Sequence, residues 1–89
     1  MIFKPSTRKD KRLMATFSNG VVVHFGQFGA QTYIDHGDKI KRSNYLARHG
    51  ASEDWRDPYK ASTLSRFLLW ETPDFEKNHQ LFMKRFNVS

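Results

Sequence analysis

The segment Leu13–Phe25 alternates apolar and polar residues on either side of Ser18–Gly20, and this pattern is typical of an antiparallel β-hairpin. A two-residue Asn-Gly turn would pair Phe17 with Val22 and place the two apolar rows on opposite faces. A three-residue turn with a left-handed glycine pairs Phe17 with Val21 instead, so that one face becomes wholly apolar. We predict the second register, because a slip of one residue would expose a whole row of apolar side chains.

The chain after the hairpin contains a glycine-punctuated turn, Gly26–Gly29, and then a short segment, Gln31–Ile34, for which we predict a third strand. The chain must turn sharply between the hairpin and this segment. We therefore predict that Gly26 or Gly29 has a positive φ angle, a conformation that glycine adopts at little steric cost.

Helical signals replace the alternating pattern after Gly37. Asp38 is a suitable N-cap for a first helix that runs to about Arg48. Asp57-Pro58 places a capping acid before a proline and predicts a second helix to about Trp70. Thr72-Pro73 repeats this signal and predicts a third helix. The predicted fold class is α+β, with an N-terminal β-hairpin or small antiparallel meander packed against three α-helices.

The 89 residues form a single domain, because so short a chain cannot divide its apolar residues between two cores. The net charge of +6 is uneven, since five basic residues and one acidic residue give residues 1–12 a net +4. We therefore divide the chain into a basic N-terminal arm, 1–12, and a single α+β domain, 13–89. The arm indicates either a polyanionic or acidic partner or only a solvated terminus. We expect its removal to leave the thermal stability nearly unchanged while weakening association with such a partner.

Several functional classes are excluded by what the sequence lacks. It has no cysteine, so disulfides and thiolate metal sites are ruled out. No apolar run reaches the roughly 18 residues of a membrane span, and the start of the chain lacks the apolar stretch of a signal peptide. We expect a soluble protein that is not secreted and that has no cofactor.

The four histidines suggest two other interpretations. His36 and His49 lie at opposite ends of the first predicted helix, about 20 Å apart if it is straight, so we predict that they share no metal ion. Asp35-His36, Asn44 and His49 also follow the order of a His-Asn-His nuclease. That motif needs a two-stranded loop before its helix, for which the predicted helix leaves too little room. A metal-dependent nuclease using the His36/Asn44/His49 region is retained as the alternative hypothesis.

Charged and aromatic residues follow the first predicted helix. That helix ends near Gly50, where its carbonyl groups attract Arg48 and a protonated His49, while acids at the next helical start cap free N–H groups. We predict a structural polar cluster rather than an active site, because the chain reverses there. Its predicted members are His49, Glu53, Asp54, Trp55, Asp57 and Arg66.

A series of residues between Thr16 and Phe86 carries a resemblance to other proteins. The series comprises His24-Phe25-Gly26, Gly29, Tyr33, His36, Asp38, Tyr45, Arg48-His49, Glu53-Asp54-Trp55, Asp57-Pro58, Ser65-Arg66 and Leu69-Trp70. In these positions the chain resembles a family of small basic proteins of unknown activity that large DNA viruses of algae and protists encode. Ser62, where family members often have glycine, and the loop before His36 depart from the family pattern.

The resemblance implies a virus-encoded protein that is carried in the particle, located in the virion or the infected-cell cytoplasm. We expect a non-enzymatic protein without catalytic residues, bound metal, membrane contact or small-molecule substrate. Two roles stay open: a minor capsid or assembly component that binds larger capsid proteins, and a sequence-nonspecific nucleic-acid-binding accessory. The residues predicted to contact the partner are Lys4, Arg8, Lys9, Lys11, Arg12, Lys41, Arg42 and Arg48.

Overall fold

A three-stranded antiparallel sheet and a set of helices make up the computed structural model, which describes all 89 residues. The strands are β1 (Ile2–Pro5), β2 (Lys11–Thr16) and β3 (Val22–Gln27), in the spatial order β1-β2-β3. The helices are α1 (Tyr33–His36), α2 (Lys39–Gly50), α3 (Ala61–Leu64), a π-helical turn (Ser65–Leu69) that continues α3, and α4 (Phe75–Phe86). None of these helices is long and apolar enough to cross a membrane. The predicted α+β class is confirmed, with the sheet in its meander form and one helical turn, α1, beyond the three predicted helices.

The β2–β3 hairpin has the predicted register. Ala15 pairs with Val23, and the Phe17 amide donates a 2.9 Å hydrogen bond to the Val21 carbonyl. Gly20 has a φ of 89°, which the left-handed position of the three-residue turn requires. The two apolar rows therefore share one face of the sheet.

Glycines at the end of β3 and in the turn after it have positive φ angles, as predicted. Gly26 and Gly29 have φ angles of 76° and 84°. A Cβ atom on Gly26 would lie 3.1 Å from Leu69 Cδ1 and 3.2 Å from Arg12 Cβ. Gly26 therefore also allows the sheet to approach the π-helical turn closely.

The third strand comes from the N-terminus, and the prediction of a strand at Gln31–Ile34 is wrong. Residues 33–36 form α1, and the Thr32 amide before it donates a 2.7 Å hydrogen bond to the Asp35 carboxylate. This local bond satisfies a backbone donor that a strand would have presented to its neighbour. β1 pairs with β2 instead, and Phe3 lies opposite Ala15 on the apolar face.

Ile2–Pro5 forms β1 and Lys11 begins β2, so the N-terminal segment is tied into the sheet, which differs from the expected arm outside the core. The Phe3 ring makes edge-on contacts with Phe25, Phe75 and His79, at centroid distances of 6.2, 5.0 and 4.8 Å. β1 has only four residues and ends in a proline, so its alternation is too short to stand out in a highly charged segment. Removing this strand would uncover part of the core.

Two of the three predicted helix starts are displaced in the structure. Asp38 caps α2 as predicted, since its carboxylate accepts from two backbone N–H groups of the first turn. Asp57 accepts instead from the Tyr59 amide in a local turn, and α3 begins only after Lys60. α4 begins after Asp74, whose carboxylate accepts from a backbone N–H, and not after the predicted Thr72-Pro73.

The core lies between the apolar face of the sheet on one side and α3, the π-helical turn and α4 on the other. Its enclosed apolar side chains are Ala15, Phe17, Phe25, Leu64, Leu68, Leu69 and Phe82. Asn78 of α4 is also completely buried. Its Nδ2 atom donates to the carbonyls of Leu68 and Thr72, both at 2.9 Å, and its Oδ1 atom accepts from the Thr72 amide and hydroxyl. The Thr72 hydroxyl oxygen accepts from the amide of Asp74, and Asp74 is the residue that caps α4.

His79, on the core side of α4, is a histidine whose protonation we expect to affect the stability of the fold. It packs against Phe3, and its Nε2 atom is buried without a hydrogen-bonding partner. Burial lowers the pKa of His79 below its ordinary value, although Glu76 opposes this shift. The unfolded chain therefore binds the proton more readily than the folded protein does.

Histidine in the unfolded chain has a pKa of about 6.5. We expect the stability that neutral His79 contributes to be fully present above this pH. It should be lost as the pH falls from this value through the lower pKa of the folded protein. Urea denaturation at pH 7.5 and pH 5.5 measures this loss. His79→Leu keeps an apolar side chain of similar reach and should lose less stability than the unmodified protein over the same interval. An equal loss in both proteins would contradict the prediction.

Candidate functional site

A cleft of about 850 Å³ opens between the sheet, α2 and the α3–π segment, and we call it the basic cleft. Lys11 and Gly26 line it from the sheet, His36 from α1, and Ser65 and Leu69 from the π-helical turn. A cleft of this volume lies within the range in which proteins bind ligands.

One face of α2 supplies a further wall of the basic cleft. Lys41, Asn44, Tyr45 and Arg48 all line it. Their spacing of three, four and seven residues places them on the same side of an α-helix. Tyr45 is buried, whereas Lys41 and Arg48 are exposed, so α2 packs its aromatic residue inward and presents its cations to the cleft.

Three aromatic rings form a continuous stack in the cleft wall. Trp70 and Tyr45 are parallel within 4°, with centroids 4.3 Å apart, and His49 follows on Tyr45 at 4.3 Å and 31°. His36 packs against Trp70 at 5.5 Å in an edge-on arrangement. The hydroxyl of a tyrosine is protonated at neutral pH, and burial raises the pKa of Tyr45 further, to about 12. The stack therefore offers ring surface and no phenolate.

The predicted polar cluster comes together only in part. The Nδ1 atom of His49 lies 2.8 Å from Glu53 Oε1, and Trp55 Nε1 donates to the other Glu53 oxygen at 3.1 Å. The Arg66 guanidinium lies 5.3 Å from the centre of the Trp55 ring. Glu53 thus bridges His49 and Trp55 in the place where the chain reverses. That this cluster has a structural role only stays a prediction.

The two other predicted members of the cluster have different partners. Asp54 accepts hydrogen bonds from the side chain and the backbone amide of Arg56, and these bonds lower the pKa of Asp54. Asp57 belongs to the turn at Tyr59. Neither carboxylate lines the basic cleft, which has Glu53 as its single acidic residue.

The eight cations predicted to contact a partner fall into three groups: three in the basic cleft, two elsewhere on the surface, and three beside carboxylates. Lys11, Lys41 and Arg48 line the basic cleft, and none of the three forms an ion pair with a carboxylate. Lys4 pairs across the sheet with Met14, on the face opposite the core, and Lys9 lies in the turn before β2. The cleft thus collects three unpaired positive charges, one from β2 and two from α2.

The remaining three predicted cations are held by carboxylates. Arg12 forms two 2.7 Å hydrogen bonds with Asp35, and these bonds hold the pKa of Asp35 well below its usual range. Arg42 donates to the Trp70 carbonyl at 2.7 Å and lies 3.4 Å from Glu71.

Arg8 lies 3.7 Å from Asp10 at an exposed position. This exposed pair constrains Arg8 little, whereas Arg12 and Arg42 are less available to an external partner than the three unpaired cations of the basic cleft.

The three residues of the nuclease alternative all line the basic cleft. His36 accepts a 2.9 Å hydrogen bond from the Asp38 amide at Nδ1, and its buried Nε2 atom has no hydrogen-bonding partner. Asn44 lies on α2 between His36 and His49. No group of three or more His, Cys, Asp or Glu side chains lies close enough together to hold a metal ion. The cleft therefore brings these residues to one surface without assembling a ligand set.

Sequence reasoning missed the π-helical turn and assigned no site role to Trp70. The spacing of apolar residues predicts a regular helix to this tryptophan, whereas Ser65–Leu69 forms a π-helical turn. Such turns are rare and frequently occur at functional sites. The Leu68 carbonyl is bound by Asn78, ten residues further on. A tertiary partner of this kind leaves no local signal in the sequence.

A family model matches residues 1–49 and describes a family of unknown function, DUF5754. No curated protein and no solved structure matches the chain. The matched residues include all three strands, α1 and nearly all of α2, and they contain Lys11, Lys41 and Arg48. They make up more than half of the 89 residues. The chain therefore belongs to this family of unknown function.

Proposed function

We propose that the protein is a non-enzymatic, sequence-nonspecific nucleic-acid-binding protein whose basic cleft receives backbone phosphates. The observation that carries the proposal is the convergence of Lys11, Lys41 and Arg48, unpaired, on one cleft. Phosphate contacts supply affinity without reading sequence.

The charges in the cleft support an anionic ligand. Three unpaired cations face a single carboxylate, Glu53, which already accepts hydrogen bonds from His49 and Trp55. A cleft lined mainly by one sign of charge concentrates ions of the opposite sign and increases their rate of association. Polyanions gain more than single anions, because several phosphates interact at once.

The identity of the polyanion is proposed from the resemblance to proteins of large DNA viruses. A virion-associated protein that binds without reading sequence would meet viral DNA at high local concentration. In the other role, as a minor capsid component, the same protein would contact larger capsid proteins and would not need to bind DNA. The salt dependence of DNA binding separates these two roles.

We expect the affinity for duplex DNA to fall steeply with salt concentration. The slope of the logarithm of the binding constant against the logarithm of the salt concentration changes by about 0.9 for each phosphate contact. We therefore expect Lys11→Ala/Lys41→Ala/Arg48→Ala to flatten this slope by roughly 2 to 3 units. Fluorescence anisotropy with a labelled duplex across a salt series measures both slopes. The matched control, Lys60→Ala/Lys77→Ala/Lys84→Ala, removes the same charge from positions outside the cleft.

Equal flattening in the two triple variants would show that net charge alone, and not the cleft, causes binding. Absence of DNA binding would refute the proposal and favour the capsid role. Magnesium-dependent cleavage of plasmid DNA that His49→Ala abolishes would instead support the nuclease.

A further inference from the structure

The ring stack in the cleft wall has one open end. Tyr45 is enclosed between Trp70 on one side and His49 on the other. The His49 side chain is 39% exposed and lines the basic cleft, and Tyr45 is the one aromatic ring that stacks on it. His49 is thus the terminal ring of the stack and the one that a ligand can reach.

The terminal ring is held in place at its edge. Glu53 accepts a hydrogen bond from Nδ1 of His49, and Trp55 Nε1 donates to the same carboxylate. The bond at Nδ1 therefore fixes the rotation of the imidazole ring about its side-chain torsion angles. Because the ring is oriented before any ligand arrives, stacking on it costs little conformational entropy.

Charges that suit a nucleic-acid backbone flank this ring. Arg48 precedes it in the chain, and Lys41 lies two turns earlier on the same face of α2. A nucleotide that stacks on His49 would therefore have cations within reach of its neighbouring phosphates. The single carboxylate nearby, Glu53, is engaged at the edge of the ring and not at its face.

From this geometry we propose that His49 is a stacking platform for an unpaired nucleobase, so that the protein prefers single-stranded to duplex nucleic acid. The inference rests on the proposed function, since the same cleft supplies the phosphate contacts. Bases in a duplex are already stacked on their neighbours, whereas single strands offer free base faces to aromatic side chains. Every base has such a face, so this contact adds affinity without sequence preference.

The test compares a fluorescein-labelled oligo-dT of about 12 nucleotides with a hairpin duplex of mixed sequence, at one salt concentration. We expect tighter binding of oligo-dT. We expect His49→Ala to weaken oligo-dT binding about tenfold, since one stacked base contributes on the order of a factor of ten or more, and to weaken duplex binding by a clearly smaller factor. His49→Phe keeps a flat ring and should retain the preference, whereas His49→Gln should lose it.

Thermal unfolding of each variant shows whether it is folded. If His49→Ala does not fold, the comparison of His49→Phe with His49→Gln shows whether oligo-dT binding needs a ring at this position. Equal affinity for the two nucleic acids, or equal binding of oligo-dT by the Phe and Gln variants, would overturn the inference and leave phosphate binding by the cleft intact. Failure of both nucleic acids to bind would instead refute the proposed function.

Discussion

Asn78→Ala is expected to destabilise the protein by about 3 kcal/mol, because buried polar groups that lose their partners each cost about 1–3 kcal/mol. The Asn78 side chain is fully buried. It binds the carbonyls of Leu68 and Thr72 and the amide of Thr72. Alanine would leave these backbone groups without partners and would add a small cavity.

The position of these groups explains why the effect should be large. The Leu68 carbonyl belongs to the π-helical turn, and Thr72 lies in the connection to α4. Asn78 therefore links α4 to the segment that carries Trp70. We expect its loss to loosen the cleft wall as well as the core.

Thermal unfolding measures the effect, since a loss of 3 kcal/mol lowers Tm by about 12–24 °C in a domain of this size. Gln80→Ala changes an exposed side chain on the same helix and should shift the stability by no more than about 0.5 kcal/mol. Asn78→Asp keeps the size but cannot donate to the two carbonyls, so it should also be strongly destabilising. A wild-type melting curve for Asn78→Ala would show that these hydrogen bonds contribute little.

Phe3→Ala is expected to destabilise the protein by about 2–3 kcal/mol, which is less than the full cost of removing a completely buried phenylalanine. The Phe3 ring is half-buried and contacts Phe25, Phe75 and His79. It therefore joins the sheet to α4. Edge-on aromatic pairs of this kind add to the free energy that burial of apolar area supplies.

Urea denaturation of Phe3→Ala and of its neighbour Lys4→Ala provides a matched comparison. Lys4 is exposed on the same strand, on the face opposite the core, so its replacement should change the free energy of unfolding by at most about 0.5 kcal/mol. Deletion of residues 1–5 should be more destabilising than Phe3→Ala, because it also leaves the outer edge of β2 unpaired. If the deleted protein unfolded at the wild-type temperature, residues 1–5 would be an independent arm.

The hairpin and α2 are the parts of the fold that local sequence predicts best. The register around Gly20 follows from keeping one face apolar, and the start of α2 follows from the side chain of Asp38, which binds the first turn. Both depend on residues close together in the chain. Local rules are sufficient there because the competing arrangement exposes apolar surface or leaves N–H groups unpaired.

Local rules are wrong where a side chain finds a different partner from the one that the pattern implies. Asp57 looks like a helix cap but binds the Tyr59 amide in a turn. Thr72 also looks like a cap, but its amide and hydroxyl donate to Asn78, and its oxygen accepts from the Asp74 amide, which precedes the helix. In each case the pattern identifies a polar group that needs a partner and does not identify which partner it finds.

The sequence by itself determined the fold class, the hairpin register with its left-handed glycine, Gly20, and the basic side chains available for binding. Only the tertiary structure decided which of those cations are unpaired. Arg12 is held by Asp35, 23 residues away, and Arg42 lies beside Glu71, 29 residues away, whereas Lys41 remains unpaired. The tertiary structure also decided that β1 joins the sheet and that Trp70 stacks on Tyr45. The physical reason is that composition and periodicity report the chemistry and the local geometry of a residue, while pairing between distant segments depends on packing of the whole chain.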